Sequence, residues 1–396
     1  MLSEASRTYI DASVPVLREH GEAITRRFYT RMFERHPELK NLFNMGNQQS
    51  GTQQQSLASA LYAYAANIDN QAALAPVVSR IVQKHVSLGV RAEHYPIVGE
   101  NLLAAIREEL GEAATQPLID AWAEAYGLLA DALIAEEARQ YREKGVQPGE
   151  FMSVRVLRKV RESGTVMSLY LEALDGGELP SFSPGQYISV ALHVDALGLR
   201  QARQYSLSTG SSGDVWRISV KRDGAVSALL HDEVKEGDFL EVSVPCGDFV
   251  LDEHADERLV LMGAGVGITP LLSMLHESLD RWPERPVTLL YAARDGEHHP
   301  MKDEIEALVQ ENDQLELHVC YETPRAEDVQ GRDYHRVGRL DLDAVQAQLL
   351  PADGRYYVCG PDGFMEQQLA ALRARKIDKT RIQAEVFGPS LLNHLH

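Results

Sequence analysis

Hydrophobic and polar positions along this chain follow three successive rhythms. Over residues 1–141 apolar positions recur every three or four residues, the period of helices that bury one face. Helices are expected over 3–20, 22–35, 52–67, 72–87, 94–110 and 115–141, with Pro37, Pro76, Pro96 and Pro117 near the gaps, where proline costs no internal hydrogen bond. From Phe151 the period shortens to two. Runs at 154–157, 166–171, 186–191, 204–208, 215–221 and 239–244, separated by turns such as Pro184-Gly185 and Gly237-Asp238, predict a closed antiparallel barrel. After residue 255 short apolar strands alternate with helical segments, at 259–262, 287–292, 315–321 and 356–359, the pattern of a parallel α/β sheet. A multidomain chain is expected: an all-α domain over 1–141, a linker over 142–150, an antiparallel β-barrel over 151–254 and an α/β parallel-sheet domain over 255–396.

Charge narrows the choice of partners. With 39 basic against 58 acidic residues the net charge is -19. Such a surface repels nucleic-acid phosphates and anionic lipid. No apolar run is as long as a membrane span, and the first residues lack the basic start and apolar core of an export signal. Three distant cysteines, Cys246, Cys320 and Cys359, are too few for an all-cysteine zinc or iron–sulfur site and point to a reducing, cytoplasmic setting.

The helical third carries the first candidate chemistry. His85 shares a helical face with Ile81, Val82 and Leu88, and Gly89 then breaks the helix. An inward imidazole is either a hydrogen-bonded core histidine or a metal or haem ligand. Tyr29 stands mid-helix beside Phe28, Met32 and Phe33; Gln53 and Leu57 lie one turn apart on one face. Singly, each fits a packed core or a solvated face. Together with Pro37-Glu38-Leu39-Lys40, Phe43-Asn44-Met45, Lys84-His85, Tyr95, Val98-Gly99-Glu100, Ala121-Trp122 and Ala125-Tyr126-Gly127, this third resembles the haem domain of bacterial and yeast flavohaemoglobins. The resemblance implies haem b with His85 as proximal iron ligand. Tyr29, Gln53 and Leu57 would line the distal pocket, Phe43 would pack on the porphyrin, and Lys84 would assist at the site. Tyr95 and a glutamate of the last helix would hold the other ring nitrogen of His85. Helical spacing does not separate Glu136 from Glu137; the resemblance implies Glu137.

Two motifs mark the strand-rich middle. Pro184-Gly185-Gln186-Tyr187 turns into a strand, and Arg203-Gln204-Tyr205-Ser206-Leu207 puts Arg203 and Tyr205 on one face with Ser206 opposite. An arginine fork beside an aromatic face suits a phosphate next to a flat ring. With Gly224-Ala225-Val226-Ser227 downstream, these motifs resemble the FAD barrel of the ferredoxin–NADP reductase superfamily. By that resemblance Arg203 holds the pyrophosphate, Gln204 belongs to the same motif, Tyr205 stacks on the isoalloxazine, Ser206 lies near its reactive nitrogen and Tyr187 contacts the adenine or ribitol side. Ser227 would cap a helix over 227–232 whose N-terminus faces the pyrophosphate.

The final third opens on Gly263-Ala264-Gly265-Val266-Gly267-Ile268-Thr269-Pro270, with Thr269 expected to cap a helix and Pro270 to open it. Its glycine spacing departs from the usual dinucleotide fingerprint but is similar to that superfamily's own nucleotide loop. Cys359-Gly360-Pro361 resembles the nicotinamide-side loop. Ala384-Glu385-Val386-Phe387-Gly388-Pro389 resembles the family's ending, where Phe387 covers a flavin face and Glu385 lies near the flavin-to-haem path. Arg294 favours a 2′-phosphate and Asp295 opposes one, so NADH and NADPH both remain open. His298-His299 reads as a solvated loop.

The resemblance spans essentially the whole chain and implies a nitric oxide dioxygenase fed by NAD(P)H through FAD and haem. The ligands would be O2, NO and NAD(P)H, with no nucleic acid or obligatory protein partner, and with lipid a further candidate for the distal pocket. An NAD(P)H-dependent reductase or oxidase of other acceptors is the alternative enzyme. An O2 carrier or sensor is the non-enzymatic alternative, for which continuous electron supply has no use.

Overall fold

A computed structural model describes residues 2–211, 213–252 and 257–388, so Pro389 of the C-terminal motif lies outside the described residues. The helical third contains α1 (Glu4–Arg35), α2 (Met45–Ser50), α3 (Thr52–Ala66), α4 (Gln71–Leu88), α5 (His94–Leu110) and α6 (Gln116–Lys144). The expected break near residue 21 is absent. Gly21 instead sits inside α1, where a Cβ would stand 3.3 Å from Ala58 Cβ, so the glycine admits α3 rather than ending the helix. Pro76 also lies within α4 and not in a gap, at the loss of one intrahelical hydrogen bond. Gly89 ends α4 with φ +75, as its position predicts. The last helix runs three residues beyond the expected end.

The middle contains β1 (Met152–Arg161), β2 (Val166–Ala173), β3 (Tyr187–Val194), β4 (Leu199–Ser206), β5 (Val215–Lys221), α7 (Ala225–Asp232) and β6 (Phe239–Val242). The six strands pair in the order β4-β3-β6-β1-β2-β5. An antiparallel bridge between Leu207 and Ile218 joins the two ends of that order, closing the sheet. Strand β4 starts five residues before the expected run. There Gln201 is fully buried, donating to Lys40 O at 3.0 Å and accepting from Met45 N at 3.1 Å. Two compact units result, Met1–Met152 with Ser189–Arg203 and Gly388, and Ser153–Ile188 with Gln204–Phe387.

The last third holds β7 (Leu259–Ala264), α8 (Ile268–Arg281), β8 (Val287–Ala293), α9 (Lys302–Glu311), β9 (Leu315–Tyr321), β10 (Arg336–Val337), β11 (Arg355–Cys359), α10 (Asp362–Ala374) and β12 (Ile382–Glu385). All six strands are parallel, in the order β10-β9-β8-β7-β11-β12. Leu261, Leu289 and Tyr357 bury one face of the sheet; Val260, Leu290 and Val358 bury the other, as a doubly covered parallel sheet requires. Among the described residues no helix is long and apolar enough to cross a membrane.

Candidate active site

His85 occupies the last turn of α4, where the αL glycine after it turns the chain into α5. Its Nδ1 lies 2.7 Å from Glu137 Oε1 of α6 and 3.1 Å from the Tyr95 hydroxyl of α5. The Tyr95 hydroxyl also donates to Glu137 Oε1. Glu137 is only 3% exposed. Burial, and after it the Glu137 carboxylate, push the Tyr95 phenol far above its ordinary range, so it stays a donor. Glu136 turns elsewhere: Arg139 holds its carboxylate at 2.8 Å and below its ordinary pKa. Geometry therefore separates the two glutamates that spacing left open. Gly99 supports the same corner. A Cβ there would come within 2.5 Å of the Tyr126 ring, whose hydroxyl donates to Tyr95 O at 2.6 Å.

The second cluster of the helical third surrounds Tyr29. Its ring meets Phe43 edge-on at 5.7 Å and Phe33 at 5.8 Å. Burial pushes its phenol up to about 12, opposed by the neighbouring side chains of Gln53 and Gln48. Leu57 packs against the same core. Gln48 carries no signal in the sequence, being one amide among many between Asn47 and Gln55. Its Oε1 accepts from Gln54 Nε2 at 3.0 Å, while its own buried Nε2 has no hydrogen-bond partner among the described residues. Lys84 is half-buried on α4, one residue before His85.

The donor set fits a haem. An imidazole whose Nδ1 is fixed by a carboxylate has the neutral, metal-binding Nε2 left to coordinate. A phenol, Gln53 and the orphaned Gln48 amide are hydrogen-bond donors suited to a polar ligand of that iron.

In the middle third, Tyr187 opens β3, pairs both ways with Cys246 at 2.8 Å and lays its ring over Gly247, where a Cβ would come within 3.1 Å. Arg203, Gln204, Tyr205 and Ser206 fall at the end of β4, the first three half-buried and Ser206 buried. Arg203 Nη1 donates to Ala202 O at 2.7 Å. Ser227 is not the cap expected of it. Helix α7 starts two residues earlier, at Ala225, because Gly224 adopts φ +95 and turns the chain there. Ser227 Oγ instead accepts from Asp223 N at 2.7 Å and donates to Gly224 O at 3.0 Å, fastening the turn. Nothing lies within 4 Å of a Cβ built at Gly224. Open space above an uncapped helix N-terminus fits a pyrophosphate.

The glycine loop and the Cys359 turn come together. A Cβ on Gly267 would stand 2.2 Å from Cys359 O, and one on Gly360 would stand 2.7 Å from Phe364. Gly263 is the last residue but one of β7, beneath Leu271, and Gly265 adopts φ +52, held by a hydrogen bond from the Tyr291 hydroxyl to its carbonyl at 3.0 Å. Helix α8 starts at Ile268, so Thr269 is already helical: its hydroxyl donates back to Val266 O at 3.0 Å instead of capping. Pro270 falls in the first turn, not at its first position, and still costs no hydrogen bond. Pro361 stands just before α10. Cys359 is fully buried and paired in register with Glu385 of β12; burial first, then Glu385, keeps its thiol well above its ordinary pKa and un-ionised. Phe387, 43% exposed, and Gly388, at φ +123, follow that strand. An exposed ring after a half-buried strand suits the face of a flat cofactor.

Of the pair His298-His299, expected as a solvated loop, His298 is half-buried and His299 is not solvated. His299 is 3% exposed, stacks on Tyr291 at 4.6 Å and meets the Tyr321 hydroxyl at 2.9 Å. Burial lowers its pKa to about 3, so it is a neutral core ring. His298 meets Asp295 at 2.6 Å, which turns that carboxylate inward, while Arg294 stays exposed.

Comparison with known proteins agrees with this architecture. The Globin family model matches residues 26–133, and the Oxidoreductase NAD-binding domain model matches residues 261–369. A flavohemoprotein of Chromobacterium violaceum is 52% identical over 399 aligned positions, covering 98% of each chain. The crystal structure of flavohemoglobin from Malassezia yamatoensis, with bound FAD and heme, superposes with a TM-score of 0.88 at 29% identity, covering 98% of this chain and 100% of that one. The FAD/NAD binding domain of nitric oxide dioxygenase from Vibrio cholerae is 37% identical over 60% of this chain and 99% of its own, with a TM-score of 0.55.

Proposed function

This chain belongs to the flavohaemoprotein family, and on that premise we propose that it is an NAD(P)H-dependent nitric oxide dioxygenase holding haem b and FAD. Haem and FAD, when bound, supply the redox chemistry that takes electrons from NAD(P)H and turns NO and O2 into nitrate. Everything else is positioning by the protein. His85 ligates the iron through Nε2. Glu137, buried and negatively charged, accepts from the Nδ1–H, fixes the tautomer and raises the basicity of the ring, with Tyr95 bracing the carboxylate. Tyr29 and Gln53 donate hydrogen bonds on the distal side, where Leu57 and Phe43 exclude water; Lys84 assists beside His85. Arg203 and the α7 N-terminus hold the flavin pyrophosphate, with Ser227 shaping the turn and Gln204 lining the site. Tyr205, Tyr187 and Phe387 cover the flavin rings, and Ser206 lies at the reacting edge. Gly263, Gly265, Val266, Gly267, Ile268, Thr269 and Pro270 form the nucleotide cradle, closed by Cys359, Gly360 and Pro361, with Glu385 and Gly388 on either side of Phe387 in the chain.

The observation that carries this reading is the buried Glu137 carboxylate on His85 Nδ1. Simple O2 storage needs no anionic partner, whereas a charged one favours the oxidised metal and redox turnover. The chain acts alone on small molecules; we take these to be O2, NO and NAD(P)H, with neither nucleic acid nor an obligatory protein partner. An acyl lipid suits the apolar lining of Phe33, Phe43 and Leu57, and three buried cysteines outside any disulfide suit the cytoplasm. The test is His85→Ala: NO consumption should vanish while NADH-driven dye reduction persists. NO removal that survives this substitution would overturn the assignment.

A further inference from the structure

Arg217 of β5 is 4% exposed, and a buried guanidinium is costly unless it is fully paired. It is fully paired, across two parts of the fold. Within the barrel its Nε donates to Ser208 Oγ at 2.9 Å and its Nη2 to Ser208 O at 2.5 Å. Towards the nucleotide-binding lobe, Nη1 and Nη2 grip Glu304 Oε2 and Oε1 of α9 at 2.6 and 3.0 Å. The same Glu304 Oε1 lies 2.6 Å from His276 Nε2 of α8, the helix opened by the glycine loop. Tyr170 adds a contact at 3.4 Å to Arg217 Nη1. The pairing is strong enough to hold the Glu304 carboxyl down at about 2 despite its burial. Ser208 stands two residues beyond Ser206. The cluster therefore links the strand end at the flavin's reacting edge to the helix that carries the nucleotide loop.

Two further contacts run alongside it: Gly164 N donates to Glu297 O at 2.8 Å, and Ser211 Oγ donates to Glu277 Oε2 at 2.5 Å. The barrel strands β2, β5 and β6 and the nucleotide lobe belong to a single compact unit. Lobes joined by a polar interface shift against one another by default. A planar, two-toothed arginine–carboxylate grip fixes both distance and orientation, which a lysine cannot do.

We propose that Arg217 and Glu304, with His276, are positioning residues that lock the nucleotide lobe onto the flavin barrel and thereby set the geometry of hydride transfer without touching either cofactor. This rests on the flavoenzyme function proposed above. Hydride transfer needs donor and acceptor at about 3–3.5 Å and in line, so a small angular slip of the lobe costs rate more than affinity.

The test uses the full-length holoenzyme with Arg217→Lys, Arg217→Met, Glu304→Gln and the double change Arg217→Met/Glu304→Gln, the last leaving no buried charge unpaired. Anaerobic single-turnover reduction of the flavin by NADH gives a limiting rate and an NADH Kd. Hydrogen exchange of α9 and of residues 208–217 gives a readout that does not depend on turnover. The expected result is a limiting rate per bound flavin lower by about tenfold or more, a Kd within about twofold of wild type, faster exchange on both sides of the clamp, and a smaller loss for Arg217→Lys. Variants reduced at the wild-type rate per flavin, with exchange unchanged, would overturn the inference. Loss of FAD or of stability alone, with a normal rate for the flavin that remains, would also overturn it by reducing the clamp to a structural role. A wild-type protein that binds FAD but is reduced by neither NADH nor NADPH would instead overturn the proposed function.

Discussion

Replacing Glu137 by Gln tests what the carboxylate does to His85. Gln keeps the volume and an acceptor oxygen, so the change removes one buried negative charge 2.7 Å from Nδ1 and little else. A hydrogen bond to a charged group is worth about 1.5–3 kcal/mol. The ferric ion, with one more positive charge, gains more from the anionic partner than the ferrous ion does. If most of that energy discriminates between them, the midpoint potential of the variant rises by about 65–130 mV, at about 59 mV per tenfold for one electron. Spectroelectrochemical titration of wild type and Glu137→Gln measures the shift. Tyr95→Phe, which removes only the contact at 3.1 Å and the brace on Glu137 and leaves the carboxylate in place, should move the potential less. Glu136→Gln should not move it, since Arg139 already neutralises that side chain. Equal potentials for wild type and Glu137→Gln would refute the argument.

Other parts of the account are open to equally direct checks. Tyr29→Phe deletes a buried donor worth about 1 kcal/mol or more, so O2 should dissociate at least about fivefold faster; flash photolysis with an unchanged off-rate would remove Tyr29 from the distal site. Gly267→Ala forces a Cβ to within 2.2 Å of the Cys359 carbonyl, which cannot swing aside, and should lower stability by about 1–3 kcal/mol and weaken NADH binding. Gly265→Ala meets no atom but keeps φ +52, so its cost in the same denaturation experiment should be about 1–2 kcal/mol. His299 is neutral when folded, with a pKa of about 3 against an ordinary 6.5, so the unfolded chain takes up its proton first as pH falls. Its contribution is complete above pH 6.5 and is lost progressively towards pH 3, and His299→Asn should flatten that limb of urea stability against pH.

The periodicities carry the architecture well because each reports which faces are buried, and burial is what builds layers. They fail where one residue's role depends on a partner far along the chain. Gly21 reads as a helix breaker until Ala58 is seen against it. Thr269 and Ser227 have cap chemistry, but the helices start earlier, after Gly267 and Gly224, and leave both inside the first turn. His299 follows a charged loop, and only the three-dimensional fold brings Tyr291 and Tyr321 around it. At the candidate site, helical face singles out only His85 as an inward imidazole, and Tyr29 and Tyr95 enter through the family resemblance. The choice of Glu137 over Glu136 needs the twist of α6, and Gln48 needs the turn into α3. Arg217 and Glu304 are 87 residues apart and belong to no motif.

The most direct measurement of the central claim follows NO, O2 and NADH together in one cuvette of purified holoenzyme, with nitrate assayed at the end. Converting NO and O2 to nitrate needs one electron beyond those NO itself gives up, so one NADH serves two NO. The account predicts NO consumption that requires both O2 and NADH, two NO lost per NADH oxidised, and nitrate equal to the NO lost. NADH oxidation that runs at the same rate without NO, with NO left in solution, would contradict it.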